Sequence, residues 1–276
     1  MIDAHMHIWR IGQNGHEWPG PDLPAIYRDF LFGDLDAPAD LDGVVLVQSQ
    51  PSDDDTAWML EQAAQNPRIL GVVGWTDLAA PDARTRIDGL TRHPKLRGLR
   101  PMLQGLNDDA WILRPDVESA LEAMIAHDLA FDALIFPRHL PHIAELARRW
   151  PDLRIVIDHG AKPQISQPDA APVWRDAIAA VAQHPNVACK LSGLITEAAP
   201  GAPLDAVQPY ADHLLTVFGA ERLIWGSDWP VLTQRCGWRD WRGWTQGWLA
   251  DKPAAARAAI LGGAAERLYA LHRMPA

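Results

Sequence analysis

The sequence predicts an α/β fold, a (β/α)8 TIM barrel formed as a single domain over residues 1–276, from three observations. Eight short β-rich runs recur along the chain, at 2–8, 43–50, 69–75, 96–103, 130–136, 153–159, 186–192 and 222–228. Alanine-rich stretches with helical periodicity lie between most of them. Such a barrel typically takes about 250 residues, and the chain has 276.

The helical stretches fall at 55–65, 115–127, 143–150, 173–183 and 209–218, with a last one at 253–271 after the eighth run. Several carry their own boundaries: Pro115-Asp116 opens one helix, Pro141 opens another, and Gly219 follows a third. Strands alternating with helices specify a parallel sheet. An open doubly wound sheet is the rival architecture, and it usually carries a Gly-rich phosphate loop after its first strand. Here His7-Ile8-Trp9-Arg10 stands in that place. No linker, charge block or low-complexity stretch divides the chain. The connections after the first and eighth runs are the long ones, and a barrel builds its site on loops at strand C-termini.

Composition narrows the function. Hydrophobic residues make up 48% and charged residues 22%, enough for a large core. A formal net charge of −10 argues against a nucleic-acid partner, which favours a basic patch. No apolar run approaches the length of a membrane span, and no signal segment opens the sequence. Cys189 and Cys236 form no CxxC pair, so the expectation is a soluble, cytoplasmic protein acting on a small molecule. Tryptophan is abundant, at 13 copies. Trp238, Trp241, Trp244 and Trp248 repeat at helical spacing and read as a packing stripe. That segment suits a lid or a contact in a homo-oligomer equally well. Trp9, Trp18, Trp75, Trp225 and Trp229 lie near loop-side strand ends, where they suit a sugar-stacking wall or a packed loop.

The candidate chemistry comes from the C-terminal strand ends. His5 and His7 are two residues apart in the first run, so their imidazoles face one way. If the first and last strands are neighbours, Asp228 arrives beside them. Further along come Gln48, Trp75, Arg100, Arg138 with His139, Asp158-His159, Lys162, and Lys190 with Ser192. Two imidazoles and a carboxylate suit a divalent metal, and they also suit carbonyl polarisation and water activation. The cations Arg100, Arg138, Lys162 and Lys190 suit carboxylate, hydroxyl or oxyanion oxygens, and Gln48 and Trp75 complete a substrate-binding set. Together these suit water attack on an ester or lactone carbonyl. His16, His93, His127, His142, His184, His213 and His272 read as structural or surface residues.

Several segments resemble the amidohydrolase-2 group of the amidohydrolase superfamily. They are Ile2-Asp3-Ala4-His5-Met6-His7-Ile8-Trp9, Val45-Leu46-Val47-Gln48, Gly71-Val72-Val73-Gly74-Trp75-Thr76-Asp77-Leu78, Leu96-Arg97-Gly98-Leu99-Arg100, Ile157-Asp158-His159-Gly160-Ala161-Lys162-Pro163 and Trp225-Gly226-Ser227-Asp228-Trp229-Pro230. The likeness spans nearly the whole chain, including Leu261-Gly262-Gly263-Ala264-Ala265 in the last helix. Similar members are sugar-acid lactonases, acting on lactones such as L-fuconolactone or L-rhamnonolactone, and dicarboxylate lactonases. The resemblance implies that His5, His7, His159 and Asp228 are active-site residues, with Asp228 as general base, and that Arg100, Lys162 and Lys190 face the substrate. One departure is Pro101 after Arg100, where the family pattern often has His.

Two-metal members of the superfamily carry a carboxylated lysine or a glutamate at the end of strand four. Arg100 stands there instead, and a cation repels a second metal. The resemblance leaves open one divalent ion, such as zinc, on His5, His7, His159 and Asp228, and equally a metal-independent lactonase. A metal-dependent decarboxylase of the same superfamily and a non-catalytic sugar-acid binding protein are the rival readings.

Overall fold

The structure is a computed structural model that describes residues 1–36 and 38–271; His272 lies outside them. Eight strands form one sheet in the order β1 to β8: Ile2–Met6, Gly43–Val47, Ile69–Gly74, Leu96–Leu99, Ala130–Ala133, Ile155–Ile157, Val187–Leu191 and Leu223–Trp225. Every neighbouring pair is parallel. The strands begin within two residues of the sequence expectation and end one to four residues early. The missing ends are where the backbone leaves the ladder to form the upper loops.

The helices α1 (Asp53–Gln65), α2 (Ala83–Leu90), α3 (Glu118–Ala126), α4 (Leu140–Arg149), α5 (Ala171–Ala182) and α6 (Gln208–Phe218) lie between successive strands from β2 to β8. α7 (Trp238–Trp248) follows β8. Two short helices, α8 (Ala254–Ala258) and α9 (Ala264–Leu268), stand where the sequence predicts one unbroken helix. A π turn over Ala259–Gly263 separates them, and there Gly262 lies close to the backbone of Ile2. Local chemistry explains the rest. The Ser52 hydroxyl caps α1 by accepting from the Asp54 amide, and Asp53, Asp54 and Asp55 complement the helix dipole. In α4, Leu140, Ile143 and Ala147 recur on one turn-spaced face and are buried with Leu146.

Alternation sorts the strand residues into two layers. Val44, Leu46, Val72, Leu99, Phe131, Ile155, Ile157, Cys189 and Leu223 face the helices in the larger core. Ile2, Ala4, Val45, Val47, Val73, Ala130, Val156, Ala188 and Ile224 fill the barrel, joined by Ala264, Ala265, Tyr269 and Leu271 from the C-terminal segment. In β1 the register is irregular, with Asp3 opposite Val44 and Met6 opposite Leu46. The extra residue between them is a bulge, so Asp3 and Met6 both face outward while His5 and His7 face inward.

β1 and β8 close the barrel through backbone contacts just above β8. The His7 amide donates to Trp229 O at 2.7 Å, and the Asp228 amide donates to His5 O at 2.8 Å. This seam is tight: a Cβ on Gly226 would lie 2.6 Å from His5 Cβ and 3.0 Å from His5 N. Gly226→Ala is therefore expected to destabilise the fold by about 2–3 kcal/mol, the cost of overpacking against a closed backbone, measured by denaturant unfolding.

Between β2 and α1, the amides of Ser49 and Gln50 both donate to Asp55 Oδ2, at 3.0 and 3.2 Å. Burial outweighs these contacts and pushes the Asp55 carboxyl up to about 6. A raised acid holds its proton in the folded state where the unfolded chain has lost it. Its stabilising contribution is therefore complete below about pH 4 and is lost as pH rises through about 6. Asp55→Asn should flatten the decline in unfolding free energy over that window by about 3 kcal/mol or less.

Candidate active site

The upper end of the barrel brings three imidazoles and one carboxylate to a common point. His5 Nε2 and His7 Nε2 are 3.2 Å apart. Asp228 Oδ1 lies 3.3 Å from His7 Nε2, 3.7 Å from His5 Nε2 and 3.8 Å from His159 Nε2. All four side chains are almost wholly buried. The Nδ1 atom of each ring is engaged elsewhere. His7 Nδ1 donates to Val47 O at 2.8 Å. His159 Nδ1 lies 2.9 Å from Ser192 Oγ. His5 Nδ1 lies 3.0 Å from Lys190 Nζ and 3.3 Å from Asp158 Oδ1. Both neutral tautomers of His5 thus have partners: Nδ1 accepts from Lys190, or Nδ1–H donates to Asp158.

Burial opposes charge on His5 and His159. It pushes His159 down to about 4 and, with the adjacent Lys190 ammonium, holds His5 well below its ordinary value. Burial also opposes the Asp228 charge, but the His159, His7 and His5 contacts outweigh it and hold the carboxyl below its usual range. Neutral imidazoles at His5 and His159 are ligands that need not be deprotonated first. Two ligands at 2.0–2.1 Å from a tetrahedral zinc ion lie about 3.3–3.4 Å apart, and the separations among His5, His7 and Asp228 run from 3.2 to 3.7 Å. These three residues therefore fit one divalent ion, with His159 Nε2 3.8 Å from the same Asp228 oxygen. A second grouping, of His5, Asp158 and His159, also brings ligand atoms together. Lys190 Nζ lies 3.1 Å from Asp158 Oδ1, however, so an ammonium occupies that position.

The chain folds locally to present these groups. His159, Gly160, Ala161 and Lys162 are four consecutive residues at positive φ, and Asp228 adopts the same region. Left-handed non-glycine residues cost about 1–2 kcal/mol each and persist where surroundings hold them. Here Trp174 Nε1 donates to Gly160 O at 2.7 Å, and the Lys162 amide donates to His159 O at 2.9 Å. Gly193 lies against both groups: a Cβ there would be 2.5 Å from His159 Nδ1 and 3.1 Å from Asp228 Oδ2. On the outer side, Asp3 Oδ1 accepts from the Ser227 amide at 2.8 Å, and Asp3 Oδ2 accepts from Trp238 Nε1 at 2.8 Å.

Below the imidazoles lies a buried ionic layer. Lys190 Nζ contacts Asp132 Oδ2 at 2.5 Å and Asp158 Oδ1 at 3.1 Å, and all three side chains are inaccessible. Arg100 pairs with Asp158 Oδ2 at 3.0 Å and also donates to Gln48 O. Tyr269 rises from the C-terminal segment and donates to Asp132 at 2.8 Å. Burial and the Asp132 charge raise its pKa far above the ordinary value, so it stays a phenol.

The structure separates the sequence candidates into two levels. Arg100 and Lys190, expected to face a substrate, lie in this lower layer, each consumed by carboxylates because an unpaired charge inside the barrel is costly. Gln48 is also buried there, its Nε2 donating to Arg100 O at 2.9 Å. Lys162 and Trp75 are only partly buried, and Arg138 is exposed. Arg138 pairs with Asp109 at 2.8 Å and stacks on Phe136, and Lys162 approaches the same ring. Trp9 and Trp229 pack edge-on against Phe30, and Trp225 is buried in the core, so these three serve as packing. Trp18 is half-buried, edge-on to Trp9. Sequence reasoning missed Asp132 and Tyr269. Asp132 had a signal, a charge inside the apolar strand Ala-Phe-Asp-Ala. Tyr269 had none.

Removing the ammonium would leave two facing carboxylates buried. Lys190→Met is expected to destabilise the protein by about 3–5 kcal/mol. Adding Asp132→Asn should restore part of that loss, as read by urea unfolding of the single and double variants.

The comparisons with known proteins agree with this geometry. The chain is 48% identical over 280 residues to an L-fucono-1,5-lactonase of Burkholderia ambifaria, covering 99% of this chain and 96% of that one. It is 35% identical over 284 residues to an L-fucono-1,5-lactonase of Burkholderia multivorans, covering 98% and 96%. A crystal structure of a Burkholderia multivorans amidohydrolase with bound zinc superposes with a TM-score of 0.92 at 35% identity, covering 98% of this chain and 99% of that one. The sequence profile described as Amidohydrolase matches residues 2–271, and the chain belongs to that family.

Proposed function

We propose that the chain is a lactonase, a carboxylic ester hydrolase that opens a sugar-acid lactone such as L-fuconolactone or L-rhamnonolactone. One observation carries this reading. Asp228 is an ionised carboxylate ringed by three imidazoles at the loop end of the barrel, in a chain 48% identical to an L-fucono-1,5-lactonase. Its partner is a small molecule, and no helix among the described residues is long and apolar enough to cross a membrane. The reading takes residues 1–276 as one functional unit. A cytoplasmic location is supported by Cys189 and Cys236 being free thiols.

Asp228 accepts the proton of the attacking water, and its fixed position beside His7 sets the line of attack. The charge that develops on the carbonyl oxygen is stabilised at the cluster of His5, His7 and His159. A divalent ion on those three residues and Asp228 would supply Lewis-acid polarisation of the carbonyl when bound. Asp228 then returns its proton to the ring oxygen as the C–O bond breaks, giving a hydroxy acid. Arg100, Lys190 and Gln48 act from below by holding Asp158 and the strand ends in place, and Lys162, Arg138 and Trp75 belong to the rim that meets the substrate.

The primary test is hydrolysis of aldonolactones and dicarboxylate lactones, followed with a pH indicator before and after chelation. Acid release selective for six-carbon sugar lactones is expected, and its absence from every lactone would remove the reading. Asp228→Asn should lower kcat by about 10²–10⁴-fold with the fold intact, and near-normal turnover in that variant would remove the general-base role.

A further inference from the structure

Glu197 sits at the end of a short 3-10 turn, Leu194–Glu197, that starts from Gly193. Gly193 itself touches His159 and Asp228, so the turn places Glu197 just above the catalytic cluster. The opposing loop does the same for Lys162, one left-handed turn beyond His159. The two loops are tied by the Ser166 amide donating to Glu197 O at 3.2 Å. Lys162 Nζ and Glu197 Oε1 are 4.0 Å apart, with side chains 21% and 24% exposed.

That separation is informative. A structural ammonium–carboxylate pair closes to about 2.7–2.9 Å, whereas 4.0 Å is beyond hydrogen-bond reach. Among the described residues Lys162 is the salt-bridge partner of this carboxylate, and no side-chain donor reaches it at hydrogen-bond distance. Burial and the nearby Asp228 charge raise its pKa, while Lys162 and Arg235 oppose the shift. Glu197 is therefore a largely buried acceptor with unused lone pairs, beside a cation with unused donors. A hydroxyl fits such a gap, accepting from the ammonium and donating to the carboxylate.

We propose that Glu197, paired with Lys162, is a specificity-determining residue that accepts hydrogen bonds from neighbouring ring hydroxyls of the lactone. The inference rests on the lactonase reading and adds how the site selects a polyhydroxylated ring. A carboxylate has two oxygens and accepts from two adjacent hydroxyls at once. A ring without hydroxyls leaves the pair unsatisfied, and a site built on buried polar groups rejects such a ligand.

The test compares L-fucono-1,5-lactone with δ-valerolactone, a six-membered lactone with no ring hydroxyls, in the wild type, Glu197→Ala and the near-isosteric Glu197→Gln. Binding of L-fucose, a pyranose with no lactone carbonyl, is measured alongside by calorimetry. Glu197→Ala should lower kcat/KM for the sugar lactone at least tenfold, mainly through KM, and leave δ-valerolactone within about twofold. L-fucose affinity should fall in parallel, with Glu197→Gln between the two. An equal loss on both lactones, no loss on either, or unchanged L-fucose affinity would overturn the proposal. If the wild type hydrolyses no lactone but loses L-fucose binding on Glu197→Ala, the lactonase reading fails and the hydroxyl-reading role stands. If it neither hydrolyses the sugar lactone nor binds L-fucose, both fall.

Discussion

The need to neutralise charge inside the barrel governs the site. Asp132, Asp158, Lys190 and Arg100 all lie where water cannot reach them, and a buried ion is tolerated only when paired and hydrogen-bonded. Two carboxylates and two cations achieve this, with Tyr269 supplying a further donor to Asp132. The layer fixes what stands on it. His5 rests on Lys190 and Asp158, and Arg100 braces Asp158 against the end of β2 through Gln48 O. The rest of the barrel interior is apolar and filled with side chains, and the ionic layer lies between it and the imidazoles.

The seam between the first and last strands is the second constraint. Asp228 reaches His7 because its own amide is bonded to His5 O, while Gly226 lets the two backbones approach. The same seam anchors Asp3, which faces outward after the β1 bulge and holds Ser227 and Trp238. The tryptophan stripe of α7 thereby connects to the site: Trp241 Nε1 donates to Gly226 O at 3.0 Å, and Trp225 Nε1 to Thr245 Oγ1 at 3.0 Å. These residues stiffen the outer side of the loop that carries Asp228, which gives the unusual tryptophan content a structural account.

Above the ionic layer, the site divides by height. The imidazoles of His5, His7 and His159 gather around Asp228. The rim, with Lys162, Glu197, Arg138 and Phe136, is more exposed, and there Lys162 and Glu197 stand 4.0 Å apart. Catalysis calls for groups fixed before the substrate arrives. Selection calls for groups whose partners arrive with it.

The sequence alone determined the architecture and the shared face of the first two imidazoles. Strand and helix periods are local properties, so eight alternating units were legible from the spacing of apolar residues, and His5 and His7 had to share a face because they are two apart on a strand. Which cations met carboxylates was not legible. Arg100, Lys190 and Gln48 read as substrate-facing from their places at strand ends, yet the carboxylates that pair with Arg100 and Lys190 lie 32 to 58 residues away in the chain, and Gln48 bonds to the Arg100 carbonyl. Tyr269 enters the barrel at the end of the expected last helix, past a π turn that breaks it, and no local pattern marks it as the partner of Asp132. Only the closed barrel decided these pairings, because register and burial are properties of the assembled sheet, and a charge finds its partner only once water has been removed from both.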